Sequence, residues 1–229
     1  MNKHIFSIVI MTSVVISLLS QEENTLYLFN GKSIEIETLA ESSGAYLNVN
    51  DEEINKNDIK LIYFDNKLIG NLKGQHRLIY NHHLTESESK GKVNLFQAYT
   101  KTVTSNGGGT IGGKGTLQFF NVGTGNIQKA NFKNLKPILS SNTESFEFLQ
   151  KANTNNIMGK VFNYGGFGLA LTGIAVVLVG ATGGNGVKIP VLVTGGALFA
   201  TGFTMVFTSS VFSKPKYKNT RLAIETFNE

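Results

Sequence analysis

VFNYGGFGLALTGIAVVLVGATGGNGV (residues 161–187) and IPVLVTGGALFATGFTMVFTSSVFS (residues 189–213) are two uncharged blocks separated by the single charge of Lys188. They run 27 and 25 residues, and at about 1.5 Å per helical residue each reaches roughly 37 to 40 Å, against about 30 Å of bilayer hydrocarbon. Phe167, Leu169, Leu171, Ile174, Val176, Val177, Leu178 and Val179 each favour insertion by about 0.3–0.6 kcal/mol, whereas one central Lys or Asp would cost about 3 kcal/mol. With no such charge present, insertion is expected. Gly183, Gly184, Asn185 and Gly186 suit a helix stop, and Pro190 suits the first turn of the next helix, where its missing N–H is not needed. The pattern predicts a transmembrane helical hairpin over residues 161–213.

Outward from the hairpin, the charge of the 229-residue chain is informative by its position. The formal net charge is +5. From Gln21 to Lys160, 15 Lys/Arg nearly balance 14 Asp/Glu. The surplus therefore flanks apolar segments, as expected near headgroups, and nucleic acid is not an expected partner. The chain has no cysteine, which excludes disulfides, thiolate zinc sites and thiol nucleophiles.

At the N-terminus, Asn2, Lys3 and His4 precede the apolar run Ile5 to Leu19, and the polar Gln21, Glu22 and Glu23 follow Ser20. That is the layout of an export signal, with Leu18 bulky for a cleavage motif, so residues 1–20 are read as a signal peptide or signal anchor. Residues 21–131 are read as a β-rich exported domain. Thr25 to Phe29 and Lys32 to Thr38 flank Asn30-Gly31, the dipeptide suited to a type I′ hairpin turn. Ala45 to Val49 is a short strand, and Ile59 to Phe64 with Lys67 to Leu72 form a second hairpin around Asp65-Asn66. Leu78 to Tyr80 suggest another strand. Val93 to Val103 alternates over the longest run and leads to a glycine-rich tip, Asn106 to Gly115, and then to strands Thr116 to Val122 and Ile127 to Asn131. An antiparallel meander, curled or barrel-like, is expected.

Residues 132–160 are read as a helical connector. Phe132, Leu135, Ile138 and Leu139 space a short helix, with Pro137 expected to confine it to one side. Ser141 and Glu144 have capping-box spacing for a helix ending near Ala152, and Asn153 to Asn156 form a polar linker. Residues 214–229 are a basic amphipathic tail, with Tyr217, Ile224 and Phe227 near one face, expected along the headgroups. The fold class is thus an α+β membrane protein: a small β-rich domain, short helices and a two-helix transmembrane hairpin.

No residue qualifies as a catalytic, cofactor-binding or metal-binding site. Gly108, Gly113 and Lys114 match the start of a P-loop, but residue 115 is Gly where a hydroxyl should hold magnesium, and a strand follows instead of a helix. His76, His82 and His83 lie close in sequence, yet a strand would point His82 and His83 apart, and Glu86 and Glu88 sit in a polar stretch. Asn48, Asn50 and Glu52 echo a calcium loop, but residue 53 is Glu where glycine is needed. Nothing resembles G-x-S-x-G. Within the hairpin, the small pairs Gly180/Gly184, Gly166/Ala170, Gly196/Ala200 and Ala197/Thr201 permit close helix approach, inside one hairpin or between copies of a homo-oligomer.

An exported domain places the tail outside too, so Lys214, Lys216, Lys218 and Arg221 oppose the positive-inside rule, with Lys188 alone facing in. The arrangement, with Val93-Asn94-Leu95-Phe96 followed by a glycine-rich loop, a glycine-rich hairpin and a basic tail ending near Phe227-Asn228, resembles a loose group of uncharacterised bacterial envelope proteins. The resemblance covers most of the chain and implies localisation in the cell envelope, with no activity carried over. A non-catalytic anchor whose β-domain binds an envelope protein or cell-wall ligand is the expectation, with an oligomeric channel as the alternative.

Overall fold

The computed structural model describes residues 24–41, 44–75, 84–106, 109–182 and 188–229; the expected signal at 1–20, the strand at 78–80 and His76, His82 and His83 lie outside them. The described residues divide into two compact units, those within 24–90, 96–117 and 121–127 forming the first and those within 91–95, 118–120 and 128–229 the second.

The first unit holds most of the β-structure. Strands β1 (Thr25–Leu28), β2 (Ser33–Glu35), β6 (Ile59–Phe64), β7 (Lys67–Asn71), β8 (Leu84–Ser89), β9 (Val93–Asn106), β10 (Gly109–Val122) and β11 (Gln128–Lys129) make an eight-stranded sheet in the order β11-β10-β9-β8-β7-β6-β1-β2. Strands β3 (Leu39–Glu41), β4 (Tyr46–Val49) and β5 (Glu52–Asn55) make a second, three-stranded sheet. The expected meander is present from β6 to β11, with the β1–β2 hairpin added against β6. Leu26, Leu47, Val49, Ile59 and Ile62 from the two sheets, with Ile36 from the link between β2 and β3, bury one another.

Turn chemistry sets the registers. Asp65 and Asn66 both adopt positive φ (48° and 61°) between the paired Phe64 and Lys67, the backbone of a type I′ turn. Asn50 and Asp51 do the same (52° and 66°) between Val49 and Glu52, a hairpin the sequence did not announce. At β1–β2 the hairpin is as expected but the turn is not: Asn30 is absent from the positive-φ residues, Gly31 alone takes φ 88°, and its N–H donates to the Leu28 carbonyl at 3.1 Å. The loop holds three residues and ends on a left-handed glycine, the other common hairpin solution. The glycine-rich tip is also shorter than expected, because β9 and β10 each run 14 residues and strand resumes at Gly109. Val93 to Val103 therefore belongs to a strand matched in length by its neighbour.

The second unit is built on α1 (Phe132–Leu139), α2 (Thr143–Thr182), α3 (Ile189–Ser209), a 3-10 turn (Ser210–Phe212) and α4 (Ser213–Asn228). Pro137 lies inside α1 and does not bound it; near the end of so short a helix its missing N–H forfeits a single hydrogen bond. The cap of α2 is Asn142, whose side-chain oxygen accepts the Ser145 N–H at 3.0 Å, not Ser141. The larger correction is that α2 continues unbroken for 40 residues. Asn153 to Asn156, expected to be a linker, are helical turns within it, so the connector and the first apolar block are one rod of roughly 60 Å.

The lower part of α2, α1 and α4 close a core with the start of β9 and the end of β10: Val93, Leu95, Phe120, Leu135, Leu139, Leu149, Ala223 and Ile224 are buried together, with Phe146 and Phe227 packed on them. The tail is amphipathic as read, but its apolar side covers this core, whereas a position along headgroups was expected. Asn228 fixes the end of α4. Its side-chain oxygen accepts the Val93 N–H at 3.0 Å and its amide donates to the Val93 carbonyl at 2.8 Å, imitating a neighbouring strand. Replacing Asn228 with Ala leaves both Val93 groups without these partners and is expected to cost about 1–3 kcal/mol, read as a lowered thermal midpoint in mild detergent.

Candidate functional site

The hairpin is assembled where its backbones touch. A methyl group placed on Gly166 would lie 2.6 Å from the Gly202 carbonyl oxygen, one on Gly173 would lie 2.4 Å from the Phe199 nitrogen, and one on Gly202 would lie 2.4 Å from the Ala170 nitrogen. Gly180 faces Val191 and Leu192, and Gly195 faces Gly173 and Val177. Gly166, Gly173 and Gly180 recur every seven residues, as do Gly195 and Gly202, the repeat that keeps one seam of a helix against an antiparallel partner. The expected intervals of four describe this only in part. Gly166 and Ala170 are on the seam, but a methyl on Gly196 would meet nothing within 4 Å, and Gly184 lies outside the described residues.

With glycine inside, the bulk points out. Val179, Val193 and Phe207 are 68, 65 and 63% exposed, and along α3 Phe199 stacks on Phe203 at 5.9 Å between centroids while Phe203 meets Phe207 edge to face at 4.6 Å. The threonine hydroxyls on this surface are already satisfied. Thr172, Thr182, Thr194, Thr201, Thr204 and Thr208 each donate a hydroxyl to the carbonyl four residues back, at 2.8–2.9 Å. These are all the threonines of residues 161–213, so none spends its proton on solvent. Two helices here are long and apolar enough to cross a membrane. The uncharged helical lengths, 161–182 and 189–209, give roughly 32–33 Å each, close to the hydrocarbon thickness.

At the base of the hairpin, where both helices meet their first flanking charges, a cleft of about 170 Å³ opens. It is lined by Asn155, Asn156, Gly159, Lys160, Asn163 and Tyr164 of α2 and by Ser209, Phe212, Ser213 and Lys216 of the returning chain. Phe162 and Phe212 pair at the same level, 5.3 Å between centroids. None of the lining residues is acidic. Lys216 is half-buried, with its ammonium 4.8 Å from the Tyr217 ring centroid. Burial first, and then the positive charges of Lys129 and Lys160, hold its pKa below the ordinary lysine value.

The motifs weighed in the sequence fall elsewhere. Asn50 is a structural residue: its side-chain oxygen accepts the N–H groups of Glu37 and Thr38 at 2.8 and 3.1 Å, and its amide donates to the Glu35 carbonyl at 2.7 Å. No oxygen is left aimed at a cation from that side chain. Gly113 and Lys114 lie within strand β10, while Gly108 lies outside the described residues, so the strand-to-helix turn that cradles phosphate is missing there. Glu86 and Glu88 are exposed on β8. Among the described residues no cluster of three or more His, Asp or Glu side chains is arranged to hold a metal ion. Sequence reasoning counted Lys160 within the nearly balanced stretch before the hairpin and Lys216 among the tail cations, and missed their convergence. The signal lay in the seven-residue glycine register, which sets Gly159 against Ser209 and Phe212. Comparison with protein-family models, with curated proteins and with solved structures returns no match to this chain.

Two outcomes follow from this geometry. Gly173→Leu forces the helices apart and is expected to cost about 1–3 kcal/mol, whereas Gly168→Leu, where an added methyl meets nothing within 4 Å, is expected to leave the thermal midpoint in detergent unchanged. For Lys216, the unfolded chain binds the proton more tightly than the folded one. Stability should therefore rise as pH climbs from the depressed folded value toward 10.5. Lys216→Gln should flatten that rise in unfolding curves recorded across the alkaline range.

Proposed function

We propose that the chain is a membrane-anchored, non-catalytic protein of the bacterial cell envelope, held by the 161–213 hairpin, whose exported β-domain binds an envelope protein or a cell-wall component. The observation that carries the anchor is the inverted hairpin surface: glycine at the seam, exposed Val, Leu and Phe outside, and every hairpin threonine hydroxyl bonded within its own helix. Water would penalise such a surface at about 25 cal/mol per Å²; lipid does not, and asks only that backbone and hydroxyl protons be satisfied internally. Export of the β-domain is supported by the signal-like N-terminus, and a binding role by exposed aromatic side chains such as Phe29, Tyr46 and Tyr99 on the first unit.

A second reading, an oligomeric channel, is favoured by Gly168 and Gly196, which stand open on the outer faces where another copy can approach closely. Against it, the threonine hydroxyls are committed to backbone carbonyls and offer no free donors to line a pore. Alkaline carbonate extraction should leave the full chain in the membrane pellet; release into the supernatant would end the anchor reading. Cross-linking in those membranes should show monomers, and conductance in reconstituted bilayers would transfer the argument to the channel.

A further inference from the structure

The cleft at the foot of the hairpin carries positive charge with no carboxylate to meet it. Lys160 comes from α2 one residue before the uncharged block begins, and Lys216 comes from α4 just after the second block ends. Asn155, Asn156, Asn163 and Ser213 line the same space with neutral donors, while the Ser209 hydroxyl there is committed to the Val206 carbonyl at 2.6 Å. Lys129 adds a third ammonium close enough to oppose the charge on Lys216. Gathering like charges in a half-buried place is unfavourable unless an anion joins them. The Tyr217 ring eases the cost without cancelling the charge. The volume, about 170 Å³, is several times what a single water requires, and the donors are those that bind phosphate oxygens: point-charge ammonium groups and side-chain amides.

We propose that this cleft binds a phosphate group, taken from the headgroup of an anionic phospholipid. The phosphate half stands on the cleft alone; the lipid half rests on the hairpin being in a membrane, and on the cleft lying where both apolar helices end and where Phe162, Tyr164 and Phe212 sit as interfacial aromatics do. A free phosphate ion has the same chemistry, and the test must separate the two sources.

The full chain is purified in mild detergent from an equal mixture of phosphatidylglycerol and phosphatidylcholine, and the lipid that stays bound is quantified. Phosphatidylglycerol should be retained in preference. The double variant Lys160→Gln/Lys216→Gln should lower its retention by about twenty-five-fold, taking roughly five-fold per lysine near a headgroup, while Lys133→Gln on α1 should leave it unchanged. Equal retention of the two lipids, or undiminished retention in a double variant whose circular dichroism remains that of the parent, overturns the proposal. Displacement of phosphatidylglycerol by millimolar inorganic phosphate overturns the lipid half and keeps the phosphate half. Flotation with vesicles, run in parallel, tests the anchor itself. If the chain does not float, inorganic phosphate titrated calorimetrically decides the cleft by itself: binding that the double variant loses supports it, and no binding overturns it.

Discussion

The closeness of two helix backbones governs the carboxyl-terminal half of this chain. At Gly166, Gly173, Gly195 and Gly202 the facing main chains leave no room for even one methyl group. A seam made largely of glycine backbone, touched by few side chains such as Val177, Val191 and Leu192, leaves most of the apolar mass of residues 161–213 without an interior to occupy. That mass is displaced to the outside, where Phe199, Phe203 and Phe207 pack ring against ring. In water this would be an unfavourable inversion, exposing the side chains that folding ordinarily buries. In a hydrocarbon solvent there is no gain from hiding them, and close van der Waals contact between backbones becomes the main source of helix association. The six threonines extend the logic, because a hydroxyl returned to its own helix is a polar group that lipid need not solvate.

The second constraint is the continuity of α2. Its first half contributes Ser145, Leu149 and Ala152 to a buried interior, and its second half contributes the glycine seam. One hydrogen-bonded rod thus belongs to two packing regimes, with Asn153 to Asn156 marking the change. These asparagines have modest helix propensity and read as a linker, but packing on both sides of them overrides the local preference. The return helix closes the arrangement: the Ser145 hydroxyl donates to the Ala223 carbonyl, and Asn228 pairs with the backbone of Val93. The foot of the hairpin is held by the same contacts that complete the helical core.

Legibility in the sequence followed the length and strength of each signal. The hairpin stood out because uncharged runs above twenty residues are rare and the physics that selects them is simple. Hairpins around Asn30-Gly31 and Asp65-Asn66 were readable since turn residues act locally. Strand β8, Leu84–Ser89, was not, because its half-buried positions carry Ser in place of Val or Ile: Ser87 and Ser89 alternate with the exposed Glu86 and Glu88, and an interior strand paired on both sides needs no apolar face to stay in register. The turn at Asn50-Asp51 was hidden by a resemblance to a cation loop that the same asparagine chemistry produces. Helix boundaries failed at Asn142 and Asn153, where short polar side chains signal a cap in one place and sit mid-helix in the other; only the tertiary partners tell them apart. The basic cleft was illegible for a different reason, since Lys160 and Lys216 are 56 positions apart and meet only through the antiparallel register of the seam.

That register also bears on the sense in which the hairpin would insert. Counted along the chain, four tail cations oppose the single Lys188 at the other end, which argues against placing the tail outside. The rule counts Lys and Arg near the helix ends and gives carboxylates little weight, so the pairing of Arg221 with Glu225 at 2.6 Å does not take Arg221 out of the count. Lys216 stays in it as well: its pKa lies below the ordinary lysine value, yet it is as an ammonium that it would meet a headgroup phosphate. The tail therefore keeps four cations against Lys188, and an exported orientation has to be carried by the signal-like N-terminus against that bias.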